Sequence, residues 1–149
     1  LSASVAESLA AVHTRITDAA RRCGRDPEAV TLVGVAKGQP TARVLEAIRA
    51  GLGHLGENYL QEAQARLLEL RAALAAEGLE PPCLHFVGRL QRGKARDVAR
   101  DFAVVESVDR VELGAALEQR AAQLGRELRV LLQVNLEGER SKGGASPEA

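Results

Sequence analysis

Apolar residues along this chain recur at two alternating spacings. Val5, Leu9, Val12, Ile16 and Ala20 fall at steps of three or four, which draws one apolar stripe along a helix over residues 4–23. A turn from Gly24 to Pro27 ends it. Residues 30–36 are dominated by Val and Leu and hold no charge, so they predict a short buried strand with Lys37 as its last residue. Thr41 is placed to cap the next helix, whose stripe is Val44, Leu45 and Ile48 before Gly51.

The alternation then repeats. "GHLGENY", residues 53–59, predicts a brief strand and a turn, and Leu67, Leu70 and Leu74 mark a helix over residues 60–76 that Gly78 and the Pro81, Pro82 pair close. Residues 83–88 read as a strand, 91–102 as a short polar helix, 103–107 as a strand and 110–125 as a helix. Residues 128–136 form the most hydrophobic strand. Ser146 before Pro147 and Glu148 has the chemistry of a helix start.

Apolar strands that alternate with helices imply a parallel sheet covered by helices. Two α/β architectures fit. One is an open doubly wound sheet; the other is a (β/α)8 TIM-type barrel, which needs about 250 residues, so that this chain would hold about the first five β/α units. The turn after the first strand is "AKGQP", and neither GxGxxG nor GxxxxGK[ST] occurs. Polar groups stand instead after each strand: Lys37; Glu57 and Asn58; Arg89 and Gln91; Ser107 and Asp109; Asn135 and Lys142. In a barrel those ends converge on one face, where sites lie. The barrel is the expectation, as one domain over residues 1–149, incomplete at its C-terminal end.

Composition narrows the function classes. An apolar fraction of 46% over 149 residues fits a globular domain, and 20 basic against 20 acidic side chains leave no long-range field to attract nucleic acid or an anionic membrane. No apolar stretch approaches the roughly 20 residues of a membrane span, and the first helix carries acidic residues unlike a signal peptide, so a cytoplasmic location is expected. Cys23 and Cys83 read as small core hydrophobes. His13, His54 and His85 share no ligand spacing such as HExxH, so no metal is expected. The chain lacks Met at position 1 and stops as a helix begins, which predicts a longer natural molecule.

Each candidate residue has a plain alternative. Lys37 is either a solvated loop lysine or an amine that desolvation keeps neutral for attack on a carbonyl compound. Asn58 can donate to a phenolate or phosphate oxygen, yet in isolation Glu57 and Asn58 read first as caps of the following helix. Tyr59 reads as a packing residue. His85 is either a ligand or a hydrogen-bonded core histidine. Arg89, Arg92 and Lys94 could attract an anion or form a solvated face with Asp97 and Asp101. Asn135 and residues 138–144 could form a loop over a site or merely a polar surface loop.

Taken together, "VGVAKGQP", "GHLGENYLQEA", "LHFVGRLQRGK", "VESVD" and "LLQVNLEGERSKGGASPEA" resemble the pyridoxal phosphate homeostasis protein family, in order and interval. The resemblance implies a barrel similar to the N-terminal domain of alanine racemase, with pyridoxal 5'-phosphate (PLP) held as a Schiff base on Lys37. It places Asn58 beside the cofactor ring, His85, Gly88 and Gln91 in the strand and loop beneath it, and Asn135 at a strand end facing it. It implies a role in vitamin B6 homeostasis, with PLP and PLP-dependent apo-enzymes as partners and little turnover. An amino-acid racemase and a cofactor-free interaction module are the alternatives. Departures from the family pattern are Ala36 and Gln39 about the lysine, Arg89 in a usual G-H-L-Q, and Gly143 and Gly144 in a usual S-K-F-G. Phosphate-binding groups are expected beyond the five units.

Overall fold

The computed structural model describes residues 3–139 and 143–148. Helix α1, Val5–Arg22, opens on a reciprocal cap in which the Ser4 side chain accepts from the Glu7 backbone and Glu7 reaches back to Ser4. The strands are β1, Gly34–Val35; β2, His54–Glu57; β3, Cys83–Phe86; β4, Val104–Val108; and β5, Arg129–Leu132. Between them lie α2, Thr41–Arg49; α3, Leu60–Glu77; α4, Ala95–Asp101; and α5, Val111–Gln123.

All five strands are parallel and pair in chain order, β1-β2-β3-β4-β5. A doubly wound sheet reverses its strand order at a switch point, and no reversal occurs here. Sequential order puts every crossover helix on the same side, the winding of a β/α barrel.

The core divides along this sheet. Leu55 of β2 packs with Val44, Leu45 and Ile48 of α2 and with Leu70 and Leu74 of α3. Phe86 of β3 and Val105 of β4 pack with Val98 of α4 and with Leu113 and Leu117 of α5. Phe86 meets Phe102 edge to face at 5.3 Å between centroids, a favoured aromatic geometry. Because side chains alternate across a strand, the residues between these carry the opposite, inner face: Val35, His54, Gly56, Cys83, His85 and Val87.

Several expectations change. Residues 30–33 lie outside β1, which is two residues long, and a 3-10 turn at Pro27–Ala29 precedes it. Thr41 is the first helical residue of α2; Pro40 occupies the cap, without a side-chain hydrogen bond. Cys23 is exposed and Cys83 only half-buried, so neither is a core hydrophobe. The hydrophobic β5, the last strand of the described sheet, is exposed at all four positions. Residues 146–148 form a turn in which the Glu148 N–H donates to Ser146 Oγ at 3.3 Å.

Candidate functional site

The turn after β1 is built to present Lys37. Gln39 N–H donates to the Ala36 carbonyl at 3.0 Å and Gly38 has φ +68°, which places Lys37 and Gly38 at the two central positions of a tight turn. Arg66 of α3 holds the turn from behind. Its Nη2 donates to the Ala36 carbonyl at 3.2 Å, its Nη1 donates to the Gln39 carbonyl, and its Nε donates to Glu57 Oε1 at 2.8 Å. Glu57 is completely buried, and burial pushes its carboxyl above the ordinary range against the pull of Arg66. Lys37 itself is exposed. The drying of its amine expected from the sequence is therefore not supplied by these five strands.

Register carries Lys37 to its neighbours. Val35 pairs with Gly56 and Gly56 with His85, so one layer of the inner face crosses three strands. Lys37 and Asn58 each follow that layer by two residues in sequence, Lys37 in the turn after β1 and Asn58 just past the end of β2. Asn58 is half-buried, and its side chain makes no hydrogen bond among the described residues. Gly88 closes on it from β3: a Cβ at Gly88 would stand 1.9 Å from the Asn58 carbonyl oxygen, so only glycine permits this approach. At Gly56 the side chains of Val33, Val35 and Val87 close over the backbone, and a Cβ there would lie 3.1 Å from Val35 Cγ2.

His85 lies one layer lower than Lys37 and Asn58. Its ring is buried, with Nδ1 2.6 Å from Glu106 Oε1 and Nε2 2.9 Å from His54 Nδ1. Of its two sequence-level readings, the described contacts are those of a hydrogen-bonded interior histidine. Burial holds the His54 imidazole below its ordinary pKa, with repulsion from His85 and Arg129 adding to the effect.

Gln91 is exposed and precedes the 3-10 turn Arg92–Lys94. Together with Asn58, Arg89, Lys94 and Arg110 it lines a cavity of about 1070 Å³ outside the ends of β2 and β3. The Asn135 amide is committed to its own loop, where Nδ2 donates to the Glu139 carbonyl at 2.9 Å and Oδ1 accepts from Gly138 N–H at 3.0 Å. Lys142 and Ser141 lie outside the described residues. Tyr59, expected to pack, is 57% exposed.

Sequence reasoning missed Arg66 and gave Glu57 the wrong partner. Glu57 caps nothing in α3, whose N-cap has no side-chain hydrogen bond; its carboxylate turns to the helix side of the sheet instead. A signal was present: Arg66 sits four residues before Leu70 on the stripe that buries α3, an unusual place for an unpaired cation.

Residues 8–149 match the model of the family described as "Alanine racemase, N-terminal domain". The chain belongs to that family. Among its relatives is a pyridoxal phosphate homeostasis protein of Pseudomonas aeruginosa, 46% identical over 146 residues, or 97% of this chain and 60% of that protein. The Escherichia coli protein of the same name is 42% identical over 141 residues, 94% of this chain and 58% of that one. The structure of PipY from Synechococcus elongatus with PLP bound superimposes with a TM-score of 0.80 at 34% identity, over 97% of this chain and 59% of PipY. The chain thus spans about 60% of the length of the curated relatives it matches. Membership in the alanine racemase N-terminal domain family agrees with the barrel-type winding and with the expected first five units of the barrel. Among the described residues no helix is long and apolar enough to cross a membrane.

Proposed function

We propose that this chain is the first part of a PLP-binding barrel that carries the cofactor covalently on Lys37 and serves cellular PLP homeostasis. The observation that carries the reading is that the Lys37 turn and Asn58 follow directly on Val35 and Gly56, which are partners in register on β1 and β2. PLP brings an aldehyde and an aromatic ring that draws electrons from whatever amine it holds. Asn58 would hydrogen-bond an oxygen on the ring, and Lys37 would supply the amine that holds its carbonyl. The PLP-bound relative of 34% identity supports the same cofactor here.

Low turnover is part of the proposal, supported by the engagement of two candidate groups within these five units. Racemisation needs an acid and a base on opposite faces of the substrate Cα. Glu57 is tied to Arg66 on the helix side, and His85 is held one layer down by Glu106 and His54. Delivery of PLP to apo-enzymes in the cytoplasm is the role we assign; the names of the relatives support a part in PLP homeostasis.

The deciding experiment is borohydride reduction of the intact protein loaded with PLP, followed by peptide mapping. These 149 residues hold three lysines, Lys37, Lys94 and Lys142, which peptide mapping tells apart. We expect the label on Lys37. A label on either of the others, or none, overturns the assignment.

A further inference from the structure

The inner face carries a second cluster: His85 in the layer of Gly56, which the resemblance places beneath the cofactor, and His54 with Cys83 one layer below, which the proposed PLP site does not use. His54 on β2 pairs in register with Cys83 on β3, and His85 follows Cys83 by two residues, so all three side chains project from the same face of two adjacent strands. One donor atom from each lies within 4.8 Å of the others. From these residues we propose a divalent metal site of the zinc class, with His54 Nδ1, His85 Nε2 and the Cys83 thiolate as ligands and water in a fourth position.

The chemistry of the set is selective. Two imidazoles and a thiolate suit a borderline-soft cation and disfavour magnesium or calcium, which take oxygen ligands. The outer layer is in place as well. Glu106 Oε1 stands 2.6 Å from His85 Nδ1, which assigns the proton to that nitrogen and aims the Nε2 lone pair at the cluster. His54 Nδ1 and His85 Nε2 are 2.9 Å apart, close enough to share a proton in the metal-free state. Tetrahedral zinc with nitrogen at about 2.0–2.1 Å needs them only a few tenths of an ångström farther apart. Proton balance is simple. The cation displaces the proton between the rings, which moves to His54 Nε2, and the Cys83 thiol releases one proton to water.

Arg129 is the remaining neighbour. Its Nη2 lies 3.9 Å from Cys83 Sγ, and as an exposed side chain on β5 it is free to swing away when a cation enters. The site is distinct from the lysine rim, so metal binding and PLP binding are separately testable.

The probe is cobalt(II) added to the intact protein freed of PLP. A sulfur-to-cobalt charge-transfer band in the near ultraviolet, tetrahedral d–d bands in the visible, saturation at one equivalent and displacement by zinc are expected. Cys83→Ser should abolish the charge-transfer band while the thermal unfolding profile stays cooperative. Glu106→Gln should weaken cobalt binding by about 10–100-fold, the usual effect of losing a carboxylate behind a ligating histidine. Folded wild-type protein that shows no charge-transfer band at one equivalent overturns the proposal, as does a band that survives Cys83→Ser. Borohydride labelling of Lys37 in the Cys83→Ser variant separates failure of this site from failure of the PLP site.

Discussion

Arg66 Nε stands 2.8 Å from Glu57 Oε1, both side chains almost wholly withdrawn from water, and the same guanidinium reaches two carbonyls of the turn that carries Lys37. The helix after β2 thereby fixes the loop after β1. Buried ion pairs of this kind contribute little net stability over an apolar pair, but breaking one is costly because the surviving charge has no partner. Glu57 Oε2 already lacks a hydrogen-bond partner among the described residues, so the carboxylate depends on Arg66 alone.

Arg66→Met should therefore destabilise the protein by about 3–5 kcal/mol in urea unfolding at neutral pH. The double variant Arg66→Met with Glu57→Leu should recover most of that stability, since no buried charge remains. It should not recover PLP loading. The carbonyls of Ala36 and Gln39 still lose their donor, and a loading defect in a stable double variant isolates the positioning role.

Lys37→Ala should leave stability within about 0.5 kcal/mol of the wild type, as expected of an exposed turn residue away from packing. It should nevertheless eliminate the PLP retained after borohydride reduction and denaturation. Retention of label in this variant would remove the lysine from the mechanism.

Gly88→Ala places a methyl group where the Asn58 carbonyl already sits, so the ends of β2 and β3 must part. A loss of about 1–3 kcal/mol is expected from overpacking of this kind. Asn58 should shift with its backbone, so PLP affinity should fall along with the melting temperature. The Asn58→Ala variant gives the contrast: weaker PLP binding with little change in melting.

Asp101 supplies a pH dependence. Burial alone would raise its carboxyl, but hydrogen bonds from Arg100 and Gln64 outweigh it and hold the group below the ordinary carboxylate range. A folded pKa below the unfolded one means that the unfolded chain binds more protons in that window, so stability rises with pH there. The contribution is complete above the unfolded value of about 3.9 and fades as pH falls through the folded one. Urea midpoints between pH 6 and pH 3 should drop less steeply for Asp101→Asn, which starts from a lower plateau.

What the sequence made legible was periodic or local. The stripe Val44, Leu45 and Ile48 faces the core as its spacing required, and Gly78 ends α3 in the left-handed conformation that favours glycine. Strand order was not legible, because an alternation of strands and helices is common to barrels and open sheets. The extent of β1 was misjudged for a physical reason: apolar content was read as strand, but only Gly34 and Val35 have a neighbour to pair with. At the site, the amine and amide followed from short motifs. The pairing of Glu57 with Arg66, and the gathering of His54 with Cys83 and His85, join residues on different elements, which no linear spacing encodes.

The sequential strand order also bears on how the molecule assembles. Each strand from β2 onward finds its partner in the strand synthesised just before it, with one intervening helix to close the loop. Growth can therefore proceed in the direction of translation, one unit docking on the last, at a low entropic cost per step. The lysine turn is among the earliest parts made, yet it gains its clamp only when α3 follows, so competence for the cofactor should arise on the ribosome no sooner than the third helix.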